Sequence, residues 1–356
     1  MDKIRQSKMT LGKRASPQNS YNIVVVGATG NVGSNILKIL DERNFPVDEI
    51  YALASRQSIG KQVSFGERKN LTVDAIENFD FSQADIAIFA AGGEVAKKYA
   101  PIAAKNKCIV IDNSSYFRMH SDVPLIVPEV NADAIKDISA PCIISNPNCV
   151  AVPLVMALKP LHDLSLITRV VVSTYQSVSG AGKKAMDELY EQTKGVFIYK
   201  KTSPKQFSRQ IAFNVIPQID SFDENGFTKE ENKIREEVKK ILGSNKIEVV
   251  PTSVRVPVFI GHSISVNIEF EKNITLEKTL NALKKAPGII LSDYQDSFKY
   301  TTPIECAGKD SVYVSRVRRD PSVKNGICMW LASDNMRKGA ALNAIQIAEI
   351  LKNKYL

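Results

Sequence analysis

Apolar and polar positions change rhythm twice along this chain. Ile23, Val24, Val25 and Val26 form an unbroken β-branched run, the pattern of a strand buried on both faces. The run passes directly into Gly27-Ala28-Thr29-Gly30-Asn31-Val32-Gly33. Apolar residues then recur at Val32, Ile36, Ile39 and Leu40 with helical spacing. Further strands are predicted over Ile50 to Ala54, Ile86 to Ala90 and Cys108 to Ile111, with helical stretches between them. Such alternation implies right-handed crossovers and a Rossmann-like, doubly wound parallel sheet.

After about residue 150 the predicted strands lengthen: Thr168 to Tyr175, Thr252 to Val258, Ile264 to Phe270, Val312 to Val317 and Ile327 to Ala332. In the third of these, Ile264, Val266, Ile268 and Phe270 alternate with Ser265, Asn267 and Glu269, so its sheet is expected to be covered on one face. This predicts an α+β domain on a mixed, largely antiparallel sheet. Ala341, Leu342, Ile345, Ala348 and Leu351 then mark a last helix, expected to return to the first domain. The expected division is a tail over 1–20, a nucleotide domain over 21–148 completed by helix 336–356, and a catalytic domain over 149–335.

The length, 356 residues, agrees with two domains. At 44% apolar and 24% charged residues the chain is of globular type, against collagen, coiled coil or wholesale disorder. No apolar run approaches the roughly 18 residues of a membrane helix, so a soluble, cytoplasmic protein is expected. The net charge of +9 permits a nucleic-acid partner. However, residues 1–20 hold Lys3, Arg5, Lys8, Lys13 and Arg14 against Asp2 alone, so +4 of it belongs to a polar stretch that reads as a disordered tail. Lys200, Lys201, Lys205 and Arg209, with Tyr199 and Phe207, form the best nucleic-acid cluster, and they read equally well as a solvated loop. Five cysteines without CxxC spacing suggest neither a disulfide framework nor a metal site.

The glycines are spaced G-x-x-G-x-x-G instead of G-x-G-x-x-G. The physical use is the same: a tight turn, close approach by a pyrophosphate, and an anion at a helix N-terminus. Placed after the first strand, the turn reads as a dinucleotide site, with Gly27, Thr29, Gly30, Asn31, Val32 and Gly33 as its expected contacts. The second strand ends Ala52-Leu53-Ala54-Ser55-Arg56, without the carboxylate that would receive a ribose 2′-hydroxyl. Ser55 and Arg56 suit a 2′-phosphate, which favours NADP; a solvated loop arginine is the alternative.

Ser145-Asn146-Pro147-Asn148-Cys149 lies between an apolar strand and a helical run beginning near Val150. A cysteine at a helix N-terminus is placed for a lowered pKa and nucleophilic use. Of three histidines, His162 sits in a helix-end context, His120 in a polar loop, and His262 in a turn between two strands, from which it can reach a cleft. Arg255 alternates with Val254 and Val256, which are expected to face inward. Glu230 and Lys233 share one side of a helix whose apolar stripe is Ile234, Val238 and Ile241, where a solvated ion pair is the simplest reading.

Taken together, Gly27-Ala28-Thr29-Gly30, Asp112-Asn113-Ser114-Ser115, Ser145-Asn146-Pro147-Asn148-Cys149, Tyr175-Gln176-Ser177-Val178-Ser179-Gly180-Ala181-Gly182, Asn214-Val215-Ile216-Pro217-Gln218, Arg255-Val256-Pro257, Gly261-His262-Ser263 and Ser333-Asp334-Asn335 resemble the bacterial aspartate-semialdehyde dehydrogenases over about residues 21–356. The resemblance implies NADPH-dependent reductive dephosphorylation of 4-phospho-L-aspartate to L-aspartate 4-semialdehyde and phosphate, in lysine/diaminopimelate, threonine, methionine and isoleucine biosynthesis. It implies Cys149 as nucleophile, His262 as acid/base and Gln176 as the group positioning the intermediate. Arg118 and Lys233 would bind phosphate, Arg255 the substrate carboxylate and Glu230 its ammonium, while Ser179, Gly180 and Asn335 would meet the cofactor. A homodimer without nucleic-acid or membrane partners, and without a metal, is also implied. Val150 departs from the hydroxyl residue common after the nucleophile.

Overall fold

The computed structural model describes residues 20–67, 69–137, 142–200, 202–292 and 299–354. The expected tail, apart from its last residue, and Lys201 of the basic cluster lie outside the described residues.

The first half alternates as predicted. It runs β1 (Tyr21–Val26), α1 (Asn31–Glu42), β2 (Val47–Ala54), a side hairpin β3 (Gln62–Phe65) and β4 (Lys69–Thr72), then the short β5 (Asp74–Ala75). There follow β6 (Ile86–Phe89), α2 (Gly93–Lys105), β7 (Ile109–Asp112), the one-turn α3 (Pro128–Asn131) and β8 (Ile143–Ser145). The six-stranded sheet has order β5-β2-β1-β6-β7-β8 and is parallel throughout. β1 sits at the point where the strand order reverses, so its carboxyl end opens onto a crevice. Register aligns Phe89 with Asp112 and Asp112 with Ser145, placing the residues after β8 on that same edge.

The second half runs α4 (Ala151–His162), β9 (Ile167–Gln176), α5 (Lys183–Phe197), α6 (Lys229–Leu242), β10 (Glu248–Arg255), β11 (His262–Phe270), α7 (Leu276–Lys285), β12 (Ile289–Leu291), α8 (Pro303–Cys306), β13 (Val312–Arg319), β14 (Gly326–Ser333) and α9 (Leu342–Lys354). Its sheet, β10-β9-β11-β14-β13-β12, is antiparallel at the centre and parallel at both ends. One face packs on α4, α6 and α7 through Leu154, Leu158, Val170, Val238, Ile264 and Leu331. α4 is buried along most of its length, as its unbroken apolar run requires.

β10 starts and ends earlier than its predicted span. Pro257 cannot donate to a ladder, and the Val258 amide turns back to the Val256 carbonyl at 2.8 Å. Pro251 is accepted within the strand because β10 is an edge. α9 packs with α1 on one face of the first sheet: Leu342, Ile345, Ala348 and Leu351 share a core with Ile23, Val25 and Ile36. A short π-helical turn, Arg337–Ala341, carries the chain from β14 into α9.

Candidate active site

The glycine turn has the geometry its residues impose. Gly27 has φ +86°, and a Cβ there would lie 2.5 Å from the Ala90 carbonyl oxygen; a Cβ on Gly33 would lie 2.2 Å from the Gly27 carbonyl oxygen. The Gly27 and Ala28 amides donate to the Leu53 carbonyl at 2.7 and 3.1 Å, tying the turn to the end of β2. Ser55 and Arg56 emerge just beyond and are exposed, with Arg56 Nε 3.9 Å from a Glu77 carboxylate oxygen. Gly30 caps α1 without a side-chain hydrogen bond, and Thr29 and Gly30 are exposed. Close packing behind the turn and an uncapped twelve-residue helix in front fit a dinucleotide pyrophosphate, while Ser55 and Arg56 fit a ribose phosphate.

Val32, at the start of α1, lines a cavity of about 440 Å³ that also reaches Cys149. Two sheet ends meet there. β8 and the Asn146-Pro147-Asn148 turn deliver Cys149 from the first sheet. From the second, Gln176 closes β9, Arg255 pairs with it at the end of β10, and His262 opens β11 beside them. Cys149 Sγ and His262 Nε2 are 3.3 Å apart. The imidazole is buried and Cys149 half-buried.

The expected lowering of the Cys149 pKa does not hold in this structure. Burial pushes the thiol up to about 12, with the Glu230 charge adding to the rise and Arg255 and Arg118 opposing it. Desolvation outweighs the helix terminus, which begins only at Ala151. Burial, then the Arg255 charge, holds His262 well below its usual pKa. Both shifts favour the uncharged forms, thiol and imidazole.

The charged residues around this pair are wired together. Arg118 is buried and spends Nε, Nη1 and Nη2 on the Asn146 carbonyl (2.9 Å), Glu237 Oε1 (2.9 Å) and the Asn113 carbonyl (2.8 Å). Arg255 Nη1 donates to the Ser177 carbonyl at 2.7 Å. Arg255 is itself buried while Val254 is only half-buried, so the strand's faces are reversed from expectation: the arginine points to the covered side, where Glu230 offsets its desolvation. Glu230 is buried instead of solvated. Its Oε1 accepts from Asn148 Nδ2 at 2.9 Å and Gln176 Nε2 at 3.2 Å, and its Oε2 lies 3.5 Å from Lys233 Nζ. Lys233 also reaches Asp220 Oδ2 at 3.1 Å. Thr174 Oγ1 donates to Gln176 Oε1 at 3.0 Å and so orients that amide.

Ser179, Gly180 and Asn335 line the same cavity. A Cβ on Gly180 would come within 3.2 Å of Arg255 Nη1 and 3.4 Å of His262 Nε2, so the absent side chain leaves those two groups room. His120 and His162 stand apart from this cluster. The His162 Nδ1 accepts the Ile167 amide at 3.1 Å and closes the connection from α4 to β9, while His120 is exposed beside the Tyr116 and Phe117 rings.

Sequence reasoning missed Glu237 altogether. It is buried, its Oε1 holds Arg118, and its Oε2 accepts the Asn148 amide at 2.6 Å, one residue before the nucleophile. Its signal was a carboxylate one turn beyond Lys233, on the side of α6 next to Ile234, Val238 and Ile241. Asn148 itself does more than form a turn, since its Oδ1 accepts the Val150 amide at 2.8 Å while its Nδ2 holds Glu230. Asp220 carried no local signal.

A doubly wound nucleotide sheet joined to a mixed sheet, with a cysteine–histidine pair between them, defines an oxidoreductase with a Rossmann-type dinucleotide domain. Residues 22–138 match the family described as semialdehyde dehydrogenase, NAD binding domain, and residues 158–338 its dimerisation domain. The aspartate-semialdehyde dehydrogenase of Rickettsia bellii is 53% identical over 336 residues, covering 94% of this chain and 99% of its own. That of Aquifex aeolicus is 50% identical over 334 residues, covering 93% and 98%. Among solved structures, aspartate semialdehyde dehydrogenase II of Vibrio cholerae, complexed with ASA, superposes with a TM-score of 0.92 at 47% identity, covering 95% of this chain and 99% of its own. The Candida albicans enzyme with NADP gives a TM-score of 0.71 at 25% identity, covering 94% and 99%. The chain belongs to the aspartate-semialdehyde dehydrogenase family.

Proposed function

We propose that this chain converts 4-phospho-L-aspartate and NADPH into L-aspartate 4-semialdehyde, phosphate and NADP, at the branch toward lysine/diaminopimelate, threonine, methionine and isoleucine, in the cytoplasm. The observation that carries the reading is the 3.3 Å contact between Cys149 Sγ and His262 Nε2, where Cys149 lines a cavity together with Arg118, Lys233, Arg255 and Val32. With substrate bound, Cys149 gives its thiol proton to His262 as the sulfur attacks the acyl carbon; a carbon–sulfur bond forms, and phosphate leaves with the electron pair of the broken carbon–oxygen bond. Arg118, two of whose N–H groups remain after its three protein bonds, and Lys233 hold the phosphate. Arg255 meets the α-carboxylate and Glu230 the ammonium. The Gln176 amide, oriented by Thr174, positions the thioester, and His262 is the acid/base group beside the sulfur.

When bound, NADPH would supply a hydride to the thioester carbon; the carbon–sulfur bond then breaks with its electron pair returning to the Cys149 sulfur, which regains its proton from His262 as the semialdehyde leaves. The glycine turn and α1 would hold its pyrophosphate, and Ser55 with Arg56 its 2′-phosphate. Support for this choice comes from the absence of a carboxylate among Ala54, Ser55 and Arg56 and from the NADP in the Candida albicans relative. A homodimer is supported by the dimerisation-domain match and by Tyr175 and Val250, exposed on the side of the second sheet away from α4, α6 and α7.

The reverse reaction tests the assignment. Aspartate semialdehyde and NADP should yield NADPH only when phosphate is present, and Cys149→Ala should lose at least about 10³-fold in rate. Equal NADPH formation by the two proteins would refute the thioester route.

A further inference from the structure

The surroundings of His262 decide which of its ring nitrogens carries the proton. The Ser177 amide donates to Nδ1 at 3.1 Å. A backbone N–H only donates, so Nδ1 presents its lone pair and the neutral ring carries its hydrogen on Nε2, facing Cys149. The Ser177 hydroxyl, 3.0 Å from Nδ1, has one hydrogen; turned to the ring it also donates to Nδ1, with Ser179 Oγ, 3.0 Å away, donating to Ser177 Oγ in turn.

Both partners are held in place by Asn335, two residues past the end of β14. Its Oδ1 accepts from the Gly261 amide at 3.0 Å and lies 3.1 Å from Ser177 Oγ and 3.2 Å from Ser179 Oγ, while its Nδ2 donates to Ser179 Oγ at 3.0 Å. One side chain thus joins the turn that delivers His262 to the turn that delivers Ser177.

We propose that Ser177 and Asn335 are positioning residues that hold His262 as the Nε2–H tautomer, so that in the free enzyme the ring donates a hydrogen bond to the Cys149 sulfur and does not receive the thiol proton. The inference rests on Cys149 and His262 being the reacting pair. Imidazolium would need a hydrogen on Nδ1 against the Ser177 amide, and the burial and Arg255 charge that hold the ring neutral act in the same direction. To take a proton at Nε2, the ring must first carry its own on Nδ1, where the Ser177 hydroxyl is the acceptor within reach.

The test is a long-range ¹H–¹⁵N correlation spectrum of the full chain labelled with [¹⁵N]histidine, at neutral pH, with the His262 signals assigned by their loss in His262→Asn. The expected pattern is a bare, pyridine-type Nδ1 and a protonated Nε2. His162, whose Nδ1 accepts the Ile167 amide, should give the same pattern as an internal reference. A protonated Nδ1, alone or with a protonated Nε2, overturns the proposal. Asn335→Ala should give a mixture of tautomers and about tenfold slower alkylation of Cys149 by iodoacetamide, because the sulfur loses its donor; a spectrum like that of the wild type would overturn the role of Asn335. Ser177→Ala keeps the amide and should keep the tautomer; loss of the tautomer there would show that the hydroxyl, and not the amide, sets it. The spectrum needs neither substrate nor cofactor. Normal phosphate-dependent turnover with a protonated Nδ1 would therefore sink this inference alone, and an inactive protein with the expected spectrum would sink the assigned activity alone.

Discussion

Gly339, in the π-helical turn before α9, packs directly on the nucleophile: a Cβ at this position would lie 3.0 Å from Cys149 Cβ and 3.1 Å from its carbonyl oxygen. That contact is tighter than ordinary van der Waals packing, so Gly339→Ala must displace either the turn or Cys149. A displacement of a few tenths of an ångström at a reacting atom is expected to lower kcat by about 10- to 100-fold. Far-UV circular dichroism and thermal melting should change little by comparison, which separates the effect from a folding defect.

Glu237 binds the Arg118 guanidinium and the Asn148 amide at once, so its loss leaves a buried arginine without its counter-charge. Glu237→Ala is expected to cost about 3–5 kcal/mol of stability, measured by denaturant unfolding. Glu237→Gln keeps the shape but removes the charge. It should raise KM for phosphate in the reverse reaction more than it raises KM for NADP.

The protonation state of Cys149 sets how the free enzyme reacts with iodoacetamide. With a thiol pKa of about 12, the thiolate fraction rises about tenfold for each pH unit through the neutral and mildly alkaline range. Alkylation should climb accordingly between pH 7 and 10 without a plateau. A plateau near pH 7 would instead mean a thiolate–imidazolium pair.

Arg56 is exposed at the edge of the nucleotide sheet, with the Glu77 carboxylate its nearby partner at 3.9 Å. Arg56→Ala should weaken NADPH by about 10- to 100-fold in kcat/KM, the size of a lost charge-assisted contact, and leave NADH turnover nearly unchanged. Equal losses with both cofactors would place Arg56 outside the 2′-phosphate site.

Much of the fold was legible because its signals are local. The β-branched run from Ile23 to Val26, the glycine turn and the stripe of α1 each arise within one strand–helix unit, where burial and backbone freedom act on neighbouring residues. The two-residue β5 left no such pattern, and the span of β10 was displaced because edge position and Pro257 outweighed its apolar run.

The sequence by itself determined the parallel first sheet, the turn before α1 and the presence of cysteine, histidine and arginine in turn-forming contexts, since these depend on the order of residues within a dozen positions. Tertiary structure alone decided the rest. It brought Cys149 to His262 across 113 residues and Arg118 to Glu237 across 119, and it turned Arg255 to the covered face. It also decided that the thiol pKa is raised and not lowered, because the energy of a charge depends on the solvent and dipoles around it, and those come from chain segments far apart in sequence.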